Sequence, residues 1–182
     1  MRKIIVTEFM SLDGVVEDPA WTFPYWNDEI AAFKDEEKKA SDALLLGRIT
    51  YEGFAAAWPK MSPKKEPLAP YMNSVRKYVA STTLKEPLAW NNSVLLKGNL
   101  VEAVHTLKQQ DGRDIAVHGS ATLAQTLMQH DLVDSLRLLV YPVVVGKGQR
   151  LFKEGNAATW KLVQSQAFSS GVVSLVYEPA PK

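Results

Sequence analysis

LLLGRITYEGFAAAW, residues 44–58, carries the chain from an apolar run through a glycine into a helix-compatible segment. Leu44, Leu45 and Leu46 form the continuous apolar run expected of a strand covered on both faces. Gly47 and Arg48 follow, and Thr50 precedes the helical run with Glu52 in its first turn. A strand–glycine–helix junction leaves unpaired backbone N–H groups at the helix start, here beside a fixed positive charge, which suits a phosphate. Arg48 can grip phosphate oxygens in a fork, Thr50 adds a hydroxyl, and Gly47 lets a ligand approach the backbone closely. An ordinary strand-to-helix turn with a solvated arginine has the same local sequence, so the stretch needs company before it defines a site.

The rest of the chain bounds the possibilities. Its 182 residues suit one domain, spanning 1–182, with a sizeable core. A formal charge of +1 gives no basic field for nucleic acid. The absence of cysteine excludes disulfides, cysteine metal sites and a thiol nucleophile, and is compatible with a cytoplasmic location. The apolar run behind Met1-Arg2-Lys3 is interrupted at Thr7 and Glu8, and no segment approaches the roughly 18 apolar residues of a membrane span. The expectation is a soluble, untargeted chain with a small-molecule ligand.

Lys3–Met10 is rich in β-formers and reads as a central strand, turned by Ser11-Leu12-Asp13-Gly14. Glu17–Trp26, with Pro19 and Pro24 among four aromatic residues, reads as an irregular loop. Asn27 or Asp28 caps a helix carrying Ile30, Ala31 and Phe33 on its apolar face. Beyond Trp58, Pro59–Pro70 reads as an exposed loop, Met72–Arg76 as a short helix, and Tyr78–Ser81 and Ser93–Leu96 as strands. Leu100–Gln110 is an amphipathic helix, Ile115–Val117 a buried strand, and Ala121–Gln129 a further helix. Leu132–Val145 is a long β-rich run containing Tyr141-Pro142, and Trp160–Phe168 with Val172–Tyr177 forms a closing hairpin. Strands alternating with helices and then dominating the end predict an α/β domain, mostly parallel, with an antiparallel C-terminal edge.

Three strand ends share a polar character: Gly47-Arg48-Ile49-Thr50, Ser81-Thr82-Thr83 and His118-Gly119-Ser120-Ala121-Thr122. Parallel α/β sheets bind ligands beyond the carboxyl ends of their strands, so three such junctions suggest an extended, phosphorylated ligand. Turns need Gly, Ser and Thr in any case. Gly146-Lys147-Gly148 is a lone turn without a following helix. His105, His118 and His130 lack metal-ligand spacing and read as surface or capping residues, so no metal is expected. Asp13 either shapes its turn or serves a site. Glu29, in the first turn of its helix, is accounted for by the helix dipole alone.

Taken together, these pieces resemble the dihydrofolate reductase-like superfamily, in particular the RibD C-terminal reductase domain of riboflavin biosynthesis and its stand-alone relatives. Ser11–Val16 is similar to the family's first strand-to-loop passage. Leu46-Gly47-Arg48-Ile49-Thr50-Tyr51-Glu52 is similar to its hydrophobic-G-R-x-T-aromatic-E motif, and Val79-Ala80-Ser81-Thr82 to its strand-plus-hydroxyl segment. Leu132-Val133-Asp134 with Tyr141–Gly146 resembles its L-V-D and P-V-h-h-G signature, where h is hydrophobic. The resemblance implies a three-layer α/β/α sandwich and an NADPH-dependent reductase acting on a small heterocycle, a ribosylamino-uracil-like pyrimidine or a pterin. A non-catalytic nucleotide-binding protein is the alternative. It further implies that Arg48, Thr50, Ser81 and Thr82 hold the adenosine-side phosphates, with Lys97 near the adenosine. Gly119, Ser120, Ala121 and Thr122 would underlie the diphosphate, with Gly47 admitting it, and Phe9 and Val16 would meet the nicotinamide. Glu29, with Asp13 as second choice, would orient the substrate and help deliver a proton, and the resemblance also implies a homodimer.

Overall fold

In a computed structural model, which describes residues 1–181, eight strands form one sheet. They are β1 (Ile4–Met10), β2 (Ser41–Gly47), β3 (Arg76–Ala80), β4 (Ser93–Leu96), β5 (Asp114–Val117), β6 (Ser135–Val140), β7 (Trp160–Ala167) and β8 (Val173–Pro179). Their order across the sheet is β4-β3-β2-β5-β1-β6-β8-β7. The first six run parallel, and β8 and β7 close the sheet antiparallel. Five helices, α1 (Asp28–Ala40), α2 (Arg48–Ala57), α3 (Ala69–Ser74), α4 (Leu100–Gln109) and α5 (Ala121–Gln129), supply the crossovers and caps.

The triple leucine of β2 shows why the sheet is covered on both faces. Successive strand side chains point to opposite faces. Leu45 joins Ile4, Val6, Ile115 and Val117 against Val104 and Leu107 of α4 and Leu123 and Leu127 of α5. Leu44 and Leu46 face the other way, onto Tyr51 of α2, Met72 of α3 and Trp90. Fully burying one leucine is worth about 1.5–3 kcal/mol, so a polar residue at any of the three would open a layer. A third cluster seats Ile30 of α1 against Leu139, Tyr141, Phe168 and Val172. The layers are those of an α/β/α sandwich.

Several boundaries differ from the sequence reading. Pro19–Tyr25 is a short 3-10 helix rather than an irregular loop. Proline at its first turn fixes φ where no N–H is needed, and Trp21 and Tyr25 pack edge-on against Tyr141 with ring centroids 5.6 and 5.9 Å away. The run Leu132–Val145 is strand only over Ser135–Val140. Leu132 and Val133 are buried without pairing, and Pro142, which has no N–H to donate, lies just beyond the end of the ladder. The short helix lies at Ala69–Ser74, earlier than expected, because Arg76 already opens β3. Helix α2 begins at Arg48 with Gly47 as its cap, two residues before Thr50. Asn27 is the cap of α1, its Oδ1 accepting from the Ile30 N–H at 3.0 Å.

Candidate functional site

Because β1 to β6 run parallel, the segments leaving their carboxyl ends share one rim. Along it, in sheet order, come Lys97 after β4, Ser81 and Thr82 after β3, Gly47-Arg48 where β2 passes into α2, Gly119-Ser120 after β5, and Phe9 next to last in β1. Four inter-strand spacings make a row about 19 Å long, the scale of an extended dinucleotide.

The centre of that row is a tight interlock. The Gly47 N–H donates to the Gly119 carbonyl at 3.0 Å. A Cβ on Gly47 would lie 2.4 Å from Ser120 Oγ and 2.9 Å from Ser120 N. Gly119 has φ +110°, and a Cβ there would come within 2.8 Å of Thr50 Oγ1. The Gly119–Ser120 peptide is cis. Ser120 caps α5, its Oγ accepting from the Leu123 N–H at 3.3 Å. Two helix N-termini, α2 and α5, are thus fixed side by side with backbone N–H groups and no side chain on either glycine, a cradle suited to an anion.

The remaining candidates flank it. Arg48 is exposed and paired with Glu52 at 2.9 Å, and Lys97 is exposed and paired with Glu86 at 2.9 Å. The Ser81 Oγ accepts from the Thr83 and Leu84 N–H groups at 3.1 and 3.0 Å, and Thr82 is exposed. Ala121 is buried, whereas Thr122 is exposed and accepts from Gln149 Nε2 at 3.0 Å. Val16 is tied by its N–H to the Gln149 carbonyl at 3.0 Å. The Phe9 ring meets Trp26 and Tyr141 edge-on at 6.4 and 5.6 Å. Leu12, Trp26, Ile49 and Val144 are exposed large apolar residues on segments flanking this rim, an apolar border to a polar row.

The two carboxylates named from sequence are both engaged in loop anchoring. Asp13 accepts from Ser11 Oγ at 2.6 Å, the Val145 N–H at 3.0 Å and the Gly146 N–H at 2.8 Å. The Ser11 hydroxyl and those two amides hold it down to about 2. Glu29 accepts from the Ser169 hydroxyl and N–H and from Asn27 Nδ2, which lower its pKa and tie α1 to the β7–β8 turn. All three bonds fall on Oε2. Both groups are therefore ionised acceptors at neutral pH.

One group that the sequence reading passed over is Glu8, treated there only as a break in an apolar run. It is 8% exposed on central strand β1, and its Oε1 is buried with no hydrogen-bond partner. Burial pushes its pKa up to about 8, with Lys34 opposing. A carboxylate inside IIVTEFM was the signal available. His118 is also corrected: it is half-buried at the end of β5 and caps nothing. Burial, and then Lys34, push it down to about 3, so it is uncharged. Among the described residues no group of three or more His, Cys, Asp or Glu is placed to hold a metal, and no helix is long and apolar enough to cross a membrane.

The fold is dihydrofolate reductase-like. Residues 2–174 match the RibD C-terminal domain family. The chain belongs to that family. It is 33% identical to the uncharacterized protein YyaP of Bacillus subtilis (strain 168), covering 97% of this chain and 94% of that one. Among solved structures it superposes on a putative riboflavin biosynthesis protein from Shewanella sp. PV-4 with a TM-score of 0.74, at 21% identity over 98% and 99% of the two chains. It also superposes on dihydrofolate reductase from Enterococcus faecalis complexed with NADP(H), with a TM-score of 0.65 at 14% identity over 98% and 97%.

Proposed function

We propose that this chain is an NADPH-dependent reductase that transfers a hydride to a C=N or C=O bond of a small heterocycle, a ribosylamino-uracil-like pyrimidine or a pterin. The observation that supports it best is the interlock of Gly47 with Gly119-Ser120, which presents two helix starts to one anionic ligand. When bound, the cofactor supplies the hydride. The chain's own residues bind and orient. Arg48, with Thr50, Ser81, Thr82 and Lys97, holds the adenosine-side phosphates, and reaching them requires Arg48 and Lys97 to leave Glu52 and Glu86. Gly119, Ser120, Ala121 and Thr122 underlie the diphosphate, and Phe9 and Val16 border the nicotinamide.

Glu29 fits the role of an acceptor better than that of an acid. Its lowered pKa keeps it ionised, and its Oε1 carries no bond, so it can take an N–H of a pyrimidine or pterin while Oε2 stays on Ser169. Asp13 fixes the loop that closes beside it. The loop through Phe23 and Trp26 is the candidate lid. A cytoplasmic homodimer completes the reading.

The test is titration of the purified protein with NADPH and NADH, read by tryptophan fluorescence, followed by NADPH oxidation with pterins, ribosylated pyrimidines and quinones. No NADPH binding at millimolar concentration refutes the reading. Binding without oxidation of NADPH by any acceptor supports instead a regulatory nucleotide-binding protein, a reading favoured by the anchoring of both carboxylates.

A further inference from the structure

Glu8 stands where its surroundings call for an apolar residue. Strand alternation puts it on the face that carries Ile4 and Val6, and its lateral partner on β6 is Leu138. A buried carboxyl whose Oε1 lacks a partner costs stability that a leucine or methionine would not. Such a cost persists where it serves a site.

The geometry indicates which site. Glu8 Oε1 lies 3.7 Å from where a Cβ on Gly119 would be, at the turn that opens α5. Because position 119 is glycine, no side chain fills that space. The charged groups around Glu8 are few. Lys34 on α1 draws it toward the charged form. His118, directly after β5, is uncharged. Arg137 on β6 sits beside Glu37, 3.8 Å away, on the opposite face. The start of α5 (Ser120, Ala121, Thr122) carries no charge, and at the start of α2 the charge of Arg48 is paired with Glu52.

We propose that Glu8 couples dinucleotide binding at this site to uptake of a proton: the uncharged carboxyl admits an anionic diphosphate over the Gly119 turn, and the charged carboxylate repels it. This rests on the reductase reading and adds a property to it. Below the carboxyl's pKa, near 8, affinity is insensitive to pH. Above it, the competent fraction falls about tenfold per pH unit, and apparent affinity falls with it. The second ionisation of the 2′-phosphate is centred at about pH 6 and is nearly complete by about pH 8, so it contributes little in this window. Lys77, which also titrates at about 8, is bonded to Val75 and Asn91 at the opposite end of β3.

The experiment is calorimetric titration with NADP+ at about pH 8.5 in two buffers of different ionisation enthalpy, on the wild type, Glu8→Gln, Glu8→Met and Lys77→Met. The expected result is uptake of roughly three-quarters of a proton by the wild type and Lys77→Met, and none by either Glu8 variant. Equal uptake by wild type and Glu8→Gln, or none by the wild type while NADP+ still binds, overturns the proposal and leaves the reductase reading standing. Failure of NADP+ to bind at any pH overturns both. Glu8→Met keeps the test valid should Glu8→Gln fold poorly, since it suits the apolar surroundings.

Discussion

Replacing Gly47 with alanine isolates the contact on which the cradle is built. Gly47 has φ −73° and ψ 161°, which alanine adopts without strain, so the whole effect is steric. The new methyl would lie 2.4 Å from Ser120 Oγ and 2.9 Å from Ser120 N. The hydroxyl can swing aside, but it then gives up its cap of α5, worth about 1 kcal/mol. The backbone nitrogen can retreat only if the turn moves with it, against the Gly47 N–H bond to Gly119 at 3.0 Å. Overpacking of this kind costs about 1–3 kcal/mol, so Gly47→Ala is expected to lose about 2–4 kcal/mol in all. Gly53 supplies the control, since it lies within α2 with nothing within 4 Å of its would-be Cβ. Gly53→Ala therefore gains about 0.5–1 kcal/mol from helix propensity. Urea denaturation at constant m-value reads both changes. The same methyl six residues apart should move the midpoint in opposite directions. A Gly47→Ala unfolding free energy within about 0.5 kcal/mol of wild type would refute the interlock.

Arg48→Ala should weaken NADPH binding at least about tenfold and leave NADH nearly unchanged, because only NADPH brings the extra phosphate; equal losses for both would count against Arg48 as its reader. Glu8 has a pKa of about 8 in the fold against an ordinary 4.5, so its contribution to stability is complete below pH 4.5 and is lost as pH rises through 8. Lys77, lowered by burial from 10.5 to about 8, acts oppositely: stability rises as pH climbs from 8 toward 10.5. Chemical denaturation across this range should show a stability minimum near pH 8, with Glu8→Gln flattening the acid side and Lys77→Met the alkaline side. Asp13→Asn should raise hydrogen exchange at the Val145 and Gly146 amides, and acidifying the wild type toward pH 2 should do the same, because Asp13 titrates at about 2. Unchanged exchange at both amides would show that Asp13 is not their anchor.

Local order was written plainly along the chain. Leu44–Leu46 followed by Gly47 announces a strand stopping at a helix, and Ala121–Gln129 is a helix with the bounds its apolar spacing indicates. Such features depend on near neighbours, and near neighbours are what a sequence states. Boundaries set by distant partners were misplaced. Leu132 and Val133 are as apolar as any strand residue, yet they find packing partners and no pairing strand. The proline-rich segment before α1 is held as a 3-10 helix by Tyr141, more than a hundred residues away.

The site divides along the same line. Gly47, Arg48, Gly119 and Ser120 could be named from the residue types that phosphates require. That Gly47 touches Ser120 follows from β5, the fifth strand in the chain, lying beside β2 in the sheet. For Asp13 the sequence left open a turn or a site, and for Glu29 the helix dipole sufficed; the partners that occupy them, Val145, Gly146 and Ser169, lie far along the chain. Glu8 looked like an interruption until the sheet closed around it. A side chain's type is fixed by its own codon position, but its charge state depends on the dielectric and partners that surround it, and those come from chain segments that meet only on folding.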